Sequence, residues 1–223
     1  MTLIKHSCLR VFLLLVLAGL AVYANAIFHP FVHDDVVFIA QNPNIARWDN
    51  LFEAFFRTGV PFQSLQLTTP YYRPVLEVFY RAGFSLFGMN PAGFHCLNIL
   101  LHILNAFLLY LVCLGLRLKR SWAFAVALVF LVHPVQSEAV ACVSGISNLA
   151  VTVFCLGAFL SYLQARRFDG ARAAGWSAGA LILFVLALLP KEQAIIFPAL
   201  VLTYEFFMPT GMSRPLTVSR CSW

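Results

Sequence analysis

An all-α membrane protein, a helical bundle of about six transmembrane spans, is what this sequence predicts, and three observations predict it. The 223 residues are 61% hydrophobic and only 11% charged, with a mean hydropathy of +0.83, a composition typical of membrane chains. The few charges leave uncharged runs of 23 residues between Arg10 and Asp34, 35 between Arg81 and Arg117, and 27 between Glu138 and Arg166. Each exceeds the roughly 18 residues a span needs. The runs are continuously apolar and rich in Leu and Ala, not alternating, which suits helices that satisfy their own backbone groups in lipid.

Taken in order, the first span covers about 10–28. Lys5 and Arg10 precede it, and Ala24-Asn25-Ala26 imitates a signal-peptide cleavage site. The apolar run continues through Ile27 and Phe28, so we read an uncleaved span. Residues 29–93 form a long extracytoplasmic loop. In it Trp48, Leu51, Phe52, Phe55 and Phe56 recur at helical spacing, and Val75, Leu76, Phe79 and Phe84 repeat the pattern. Both stretches predict amphipathic helices on the membrane surface. Further spans are expected near 96–116, 122–140, 148–164, 174–190 and 194–208, making 1–208 one membrane domain. Residues 209–223 read as a cytoplasmic tail, a loop cut short.

Starting the chain in the cytoplasm leaves ten of the fifteen basic residues in cytoplasmic segments: Lys5, Arg10, Arg117, Lys119, Arg120, Arg166, Arg167, Arg172, Arg214 and Arg220. Four of the other five lie in the long loop, where the positive-inside rule is weak. Membrane orientation therefore explains the net charge of +6, and no nucleic acid is implied. The six cysteines form no C-x-x-C pair and read as packing thiols, without a zinc site or disulfide framework. No phosphate loop, 34-residue repeat or low-complexity tract is present.

The remaining polar residues are few enough to place individually. His95, Asn98, His102 and Asn105, at offsets of 3, 7 and 10, fall within one arc of about 80° on a helix. Such a stripe either hydrogen-bonds neighbouring helices or lines a site. A metal held by His95 and His102 is a further reading, although the two are separated by two turns. Asp34 and Asp35 follow the first span, Glu138 follows HPVQ at the outer end of the third, and Lys191-Glu192 follow Pro190 at the outer end of the fifth. With Tyr72, Arg73 and His95, these come from separate stretches yet all map to one membrane face, as ionisable groups at a functional site do.

Glycosyl transfer from a lipid phosphate is chemistry such a face can perform. Phosphate is already a good leaving group, so a carboxylate to deprotonate the acceptor hydroxyl and a cation for the departing charge suffice. Asp34 or Asp35 supplies the base, and Arg73 or Lys191 the cation.

The order DD, NP, YYRP, NPAGFHCLNILLHILNA, HPVQSEAVA and KEQAIIFP resembles the amino-terminal membrane half of the transmembrane and tetratricopeptide-repeat proteins, a branch of the C-type (GT-C) multi-spanning glycosyltransferases. The resemblance runs from about residue 28 to 206. It implies a partial GT-C-like domain and a sugar, such as mannose, carried on polyprenyl or dolichyl phosphate. The acceptor would be an extracytoplasmic hydroxyl, protein among the candidates, and the setting a multi-pass protein of the bacterial inner membrane or the endoplasmic reticulum. In the related mannosyltransferases the first acid of the pair is the base, which points to Asp34, with Asp35 as its partner. Tyr72, Arg73, His95, His102, Glu138, Lys191 and Glu192 are the substrate-binding candidates. No metal ligand set and no definite cofactor is assigned, and a divalent metal is left as an open alternative.

Two departures bear on activity, one being that the sequence stops before the remaining spans and the tetratricopeptide repeats that the resemblance implies. Where similar proteins carry G-R-x-D after the HPVQ segment, this chain reads Gly145-Ile146-Ser147-Asn148, losing a cation and an acid. A catalytically inactive membrane fragment or scaffold is therefore the leading rival reading. A proton-coupled transporter is third, although no pair of broken helices marks a midplane site.

Overall fold

The computed structural model describes residues 2–49, 51–56, 61–62, 67–68 and 73–208. Helix α1 spans Thr2–Tyr23 and runs into a 3-10 turn, Ala24–Phe28. After the long loop come α4 (Pro91–Gly115), α5 (Arg120–Val132), the short α6 (Ser137–Ala141), α7 (Ile146–Ala165), α8 (Gly170–Leu188) and α9 (Phe197–Phe207). Within the loop lie α2 (Leu51–Phe56), α3 (Pro74–Phe87) and a two-residue antiparallel ladder, β1 (Pro61–Phe62) on β2 (Leu67–Thr68). The molecule is a multi-pass membrane protein. Among the described residues four segments, Ser7–Phe28, Pro91–Gly115, Val143–Ala165 and Gly170–Leu188, are long and apolar enough to cross a membrane. A fifth exists if α5 and the Pro134–Ala141 segment, bent by 50°, form one broken span.

The expected third span is therefore broken, and Pro134 is the reason. A proline has no N–H to donate and forces its predecessor out of helical geometry, and His133 is accordingly extended (φ −66°, ψ 130°). Several backbone groups freed by the break find partners. His133 Nδ1 accepts from Val135 N at 3.2 Å. The Leu131 carbonyl takes bonds from Tyr23 Oη at 3.1 Å and His102 Nε2 at 3.0 Å. The sixth span, expected over 194–208, is instead a 3-10 turn at Glu192–Ile196 followed by the 11-residue α9, too short to cross alone.

Helix α4 is the central post. Asn90 caps it, accepting from Ala92 N at 3.1 Å, with Pro91 in the first turn where its missing donor costs nothing. Leu15, Ile99, Ile103, Ala106, Tyr110, Ala127 and Leu131 bury one core between α1, α4 and α5, and Ala158, Phe159, Leu163 and Phe197 build another around α7.

The loop packs differently from the expectation. Helix α3 is amphipathic, but Leu76 and Tyr80 bury against Ile39, Ile45, Phe94, Val143 and Ile146, so its apolar face covers protein and not lipid. On α2, Phe52 and Phe56 remain exposed. Arg81 anchors the cap, bonding Glu77 at 2.7 Å and reaching the Arg47 carbonyl. Free thiols are found as expected at Cys96, Cys113, Cys142 and Cys155, whereas Cys8 is disulfide-bonded, which corrects the reading of all six as packing thiols.

Candidate functional site

The two neighbouring carboxylates have opposite surroundings. Asp35 is 0% exposed. Its Oδ2 accepts from Val143 N at 3.1 Å and its Oδ1 from Ser144 N at 2.7 Å. These are donors at the start of the 3-10 turn Val143–Gly145 that leads into α7, where a helix terminus leaves N–H groups without internal partners and favours negative charge. Asp34 is exposed. The backbone separates them: His33 sits in the left-handed region (φ 48°), Asp34 and Asp35 open a helical turn, and a π-helical turn follows at Val36–Ala40. A fixed, buried acid thus holds an open one at the surface.

The turn that Asp35 holds is gripped from the other side as well. Asn98 Nδ2 donates to the Cys142 carbonyl at 2.7 Å. Gly145 lets α6 approach, since a Cβ there would lie 2.2 Å from the Ala139 carbonyl oxygen. The carboxylates of Asp35, Glu138 and Asp34 lie within electrostatic reach of the Cys142 thiol.

Cations approach this end from two other segments. Arg73 Nη2 lies 3.6 Å from Glu192 Oε1. Lys191 Nζ donates to Asn148 Oδ1 at 2.6 Å, joining the α8–α9 connection to the first turn of α7. The polypeptide therefore brings Asp34, Asp35, Arg73, Glu138, Lys191 and Glu192 to one end of the bundle. Among the described residues no group of three His, Cys, Asp or Glu side chains is placed to hold a metal ion. Tyr72 lies outside the described residues.

The polar stripe of α4 makes backbone crossties. His95, Asn98, His102 and Asn105 are all 0% exposed. His95 Nε2 bonds the His29 carbonyl at 3.1 Å, His102 the Leu131 carbonyl, and Asn105 Nδ2 the Leu149 carbonyl at 3.0 Å. A carbonyl can only accept, so both imidazoles carry the proton on Nε2. His95 still stands beside the acidic end, within the field of Asp35. His102 lies two turns deeper, between the Tyr23 and Phe130 rings.

One residue escaped the sequence reading. Tyr80 is 3% exposed, stacks on Phe38 and has no partner for its buried hydroxyl. Burial, then the charges of Asp35 and Asp34, push its phenol well above the usual range, so it stays protonated beside the acidic pair. The signal was present: Tyr80 follows Leu76 by four residues on the apolar face of α3, a polar tip on a core position.

Comparison with curated proteins gives relatives that share this segment. The chain is 33% identical over 205 residues, 87% of its length, to the mouse protein O-mannosyl-transferase TMTC1. It is 33% identical over 201 residues, 88% of its length, to human protein O-mannosyl-transferase TMTC3. The chain is homologous to a portion of the TMTC protein O-mannosyl-transferases. The fruit fly Tmtc3 matches at 29% over 92% of this chain. The aligned segments amount to 22% of the mouse TMTC1 and 21% of the human TMTC3, so the chain spans about a fifth of these TMTC proteins. No family profile matches the chain, and no solved structure does.

Proposed function

We propose that this chain is part of a membrane glycosyltransferase that moves a sugar, mannose by analogy with its relatives' names, from a polyprenyl- or dolichyl-phosphate donor to a hydroxyl. The acceptor in this reading is a protein on the extracytoplasmic side, and the amino terminus is cytoplasmic. The observation that carries the reading is the exposed Asp34 carboxylate, held beside a buried acid and on the same end of the bundle as Arg73 and Lys191.

In the proposed reaction Asp34 takes the acceptor O–H proton as the oxygen forms its bond to the anomeric carbon. The bond from that carbon to the phosphate oxygen breaks, and the lipid phosphate leaves with the electron pair. Arg73 and Lys191 stabilise its charge. Asp35 takes no part in the proton transfer; its two backbone bonds fix where Asp34 points.

A scaffold without transferase activity is the second reading, and one observation favours it. Ile146, standing where similar proteins carry arginine, is 0% exposed and belongs to the apolar cluster beneath α3, so that position offers no cation to a phosphate. The two readings part on Asp34→Asn. Membranes containing the protein are supplied with a polyprenyl-phosphate sugar and an acceptor peptide. Transfer should fall by about 10²–10⁴, the contribution of a general base, with abundance and donor binding little changed. Full turnover at normal abundance refutes the base assignment.

A further inference from the structure

We propose that α2 is a membrane anchor: Trp48, Phe52 and Phe56, with Leu86 and Met89 from the end of α3, insert into the lipid interface at the end of the bundle that carries Asp34.

Phe52 and Phe56 lie one turn apart on α2 and so share a face, and they are 79% and 85% exposed. The helix carrying them is fixed. Leu51 and Phe55 are half-buried, α2 packs on α3, and Trp48 Nε1, on an exposed ring beside the helix, donates to Ser85 Oγ at 3.0 Å. Large apolar side chains held out from a fixed element mark an interaction surface.

The level of this surface follows from α4. That helix has 25 residues, about 37 Å at 1.5 Å per residue against a hydrocarbon core of about 30 Å, so its ends reach the headgroup boundaries. The connection from α3 is short. Gly88 (φ 60°) closes α3 with its N–H on the Phe84 carbonyl at 2.7 Å, and Asn90 already caps α4. Leu86, 75% exposed, and Met89, also exposed, therefore stand beside the start of the span. Ser85, which receives the Trp48 indole, immediately precedes Leu86, so α2 is tied to the cap at that boundary. Trp, Phe and Leu are the side chains that seat an element between headgroups and acyl chains. Level and composition together favour lipid over a protein partner.

The anchor governs more than α2. Arg81 of α3 bonds the Arg47 carbonyl, and Leu76 and Tyr80 pack on Ile39 and Ile45. The segment that follows the acidic pair is thus joined through α3 to α2, and the seating of α2 sets the height of Asp34 over the bilayer.

The test uses the purified full chain in phosphatidylcholine nanodiscs, with Trp122→Phe, Trp176→Phe and Trp223→Phe leaving Trp48 as the reporter of the four tryptophans. Lipid brominated near the glycerol end of its acyl chains should quench Trp48 more than lipid brominated near the chain ends, because an interfacial face sits about 5–10 Å into the headgroup–acyl boundary. Aqueous acrylamide should quench it less than it quenches free tryptophan. Phe52→Ser with Phe56→Ser should shift the balance from seated to lifted α2 by about 100-fold, the equivalent of about 3 kcal/mol for two phenyl rings, and Trp48 should lose its lipid quenching. Trp122, exposed on α5 and kept as the reporter in a parallel version of that double variant, should stay quenched by lipid, because the spans remain inserted. The proposal is overturned if brominated lipid leaves Trp48 unquenched: acrylamide access would then place α2 in water, and its exclusion would place α2 under protein. It is overturned equally if the double substitution leaves the lipid quenching of Trp48 undiminished.

Discussion

Removing the Asp35 carboxylate should unlatch the loop from α7. Asp35→Ala takes the acceptors from two buried backbone donors, Val143 N at 3.1 Å and Ser144 N at 2.7 Å. Hydrogen bonds to a charged group contribute about 1.5–3 kcal/mol each. Deleting a buried charge also removes its desolvation cost, which offsets part of the loss. A net destabilisation of about 2–4 kcal/mol remains, and Asp35→Asn, which keeps one acceptor, should lie at the lower end. At about 2–4 °C per kcal/mol for a chain of this size, Asp35→Ala should unfold about 4–16 °C below the parent. Asp34→Asn, at an exposed position, should change stability by no more than about 0.5 kcal/mol. Thermal unfolding in detergent, followed by loss of the monodisperse peak, reads all three. The reasoning is refuted if Asp35→Ala unfolds with the parent, or if Asp34→Asn loses as much as Asp35→Ala.

Two further substitutions probe the same end of the bundle. Gly145→Ala places a methyl group 2.2 Å from the Ala139 carbonyl oxygen and 2.8 Å from its Cα; backbone cannot rotate aside, so a loss of about 1–3 kcal/mol is expected, measured as reduced unfolding temperature and membrane abundance. Asn148→Asp puts a carboxylate against Lys191 Nζ, now 2.6 Å from the amide oxygen. The new ion pair should add up to about 1 kcal/mol and weaken binding of a phosphate-linked donor about fivefold, the equivalent of about 1 kcal/mol, with direct binding of the labelled donor as the assay.

The spans were legible because lipid leaves a chain little choice. A continuous apolar run must satisfy its own backbone, so 96–116 and 148–164 read directly as α4 and most of α7. The break at Pro134 was not read, since 122–140 was expected as one span. Other features depend on residues far apart in the chain. Nothing in the pair Asp34-Asp35 says which is buried, because the donors that bury Asp35 lie 108 and 109 residues away. The stripe of α4 could be read as a polar face, yet its partners are set by tertiary packing: the carbonyls of His29, Cys142 and Leu131 lie at or beside helix breaks, and that of Leu149 in the first turns of α7. The apolar faces of α3 and α9 were equally ambiguous, since a Leu or Phe facing lipid and one facing protein are the same residue in sequence. Hydropathy determined which segments leave water; tertiary packing decided which faces meet each other, and so which of two adjacent carboxylates stands open at the surface.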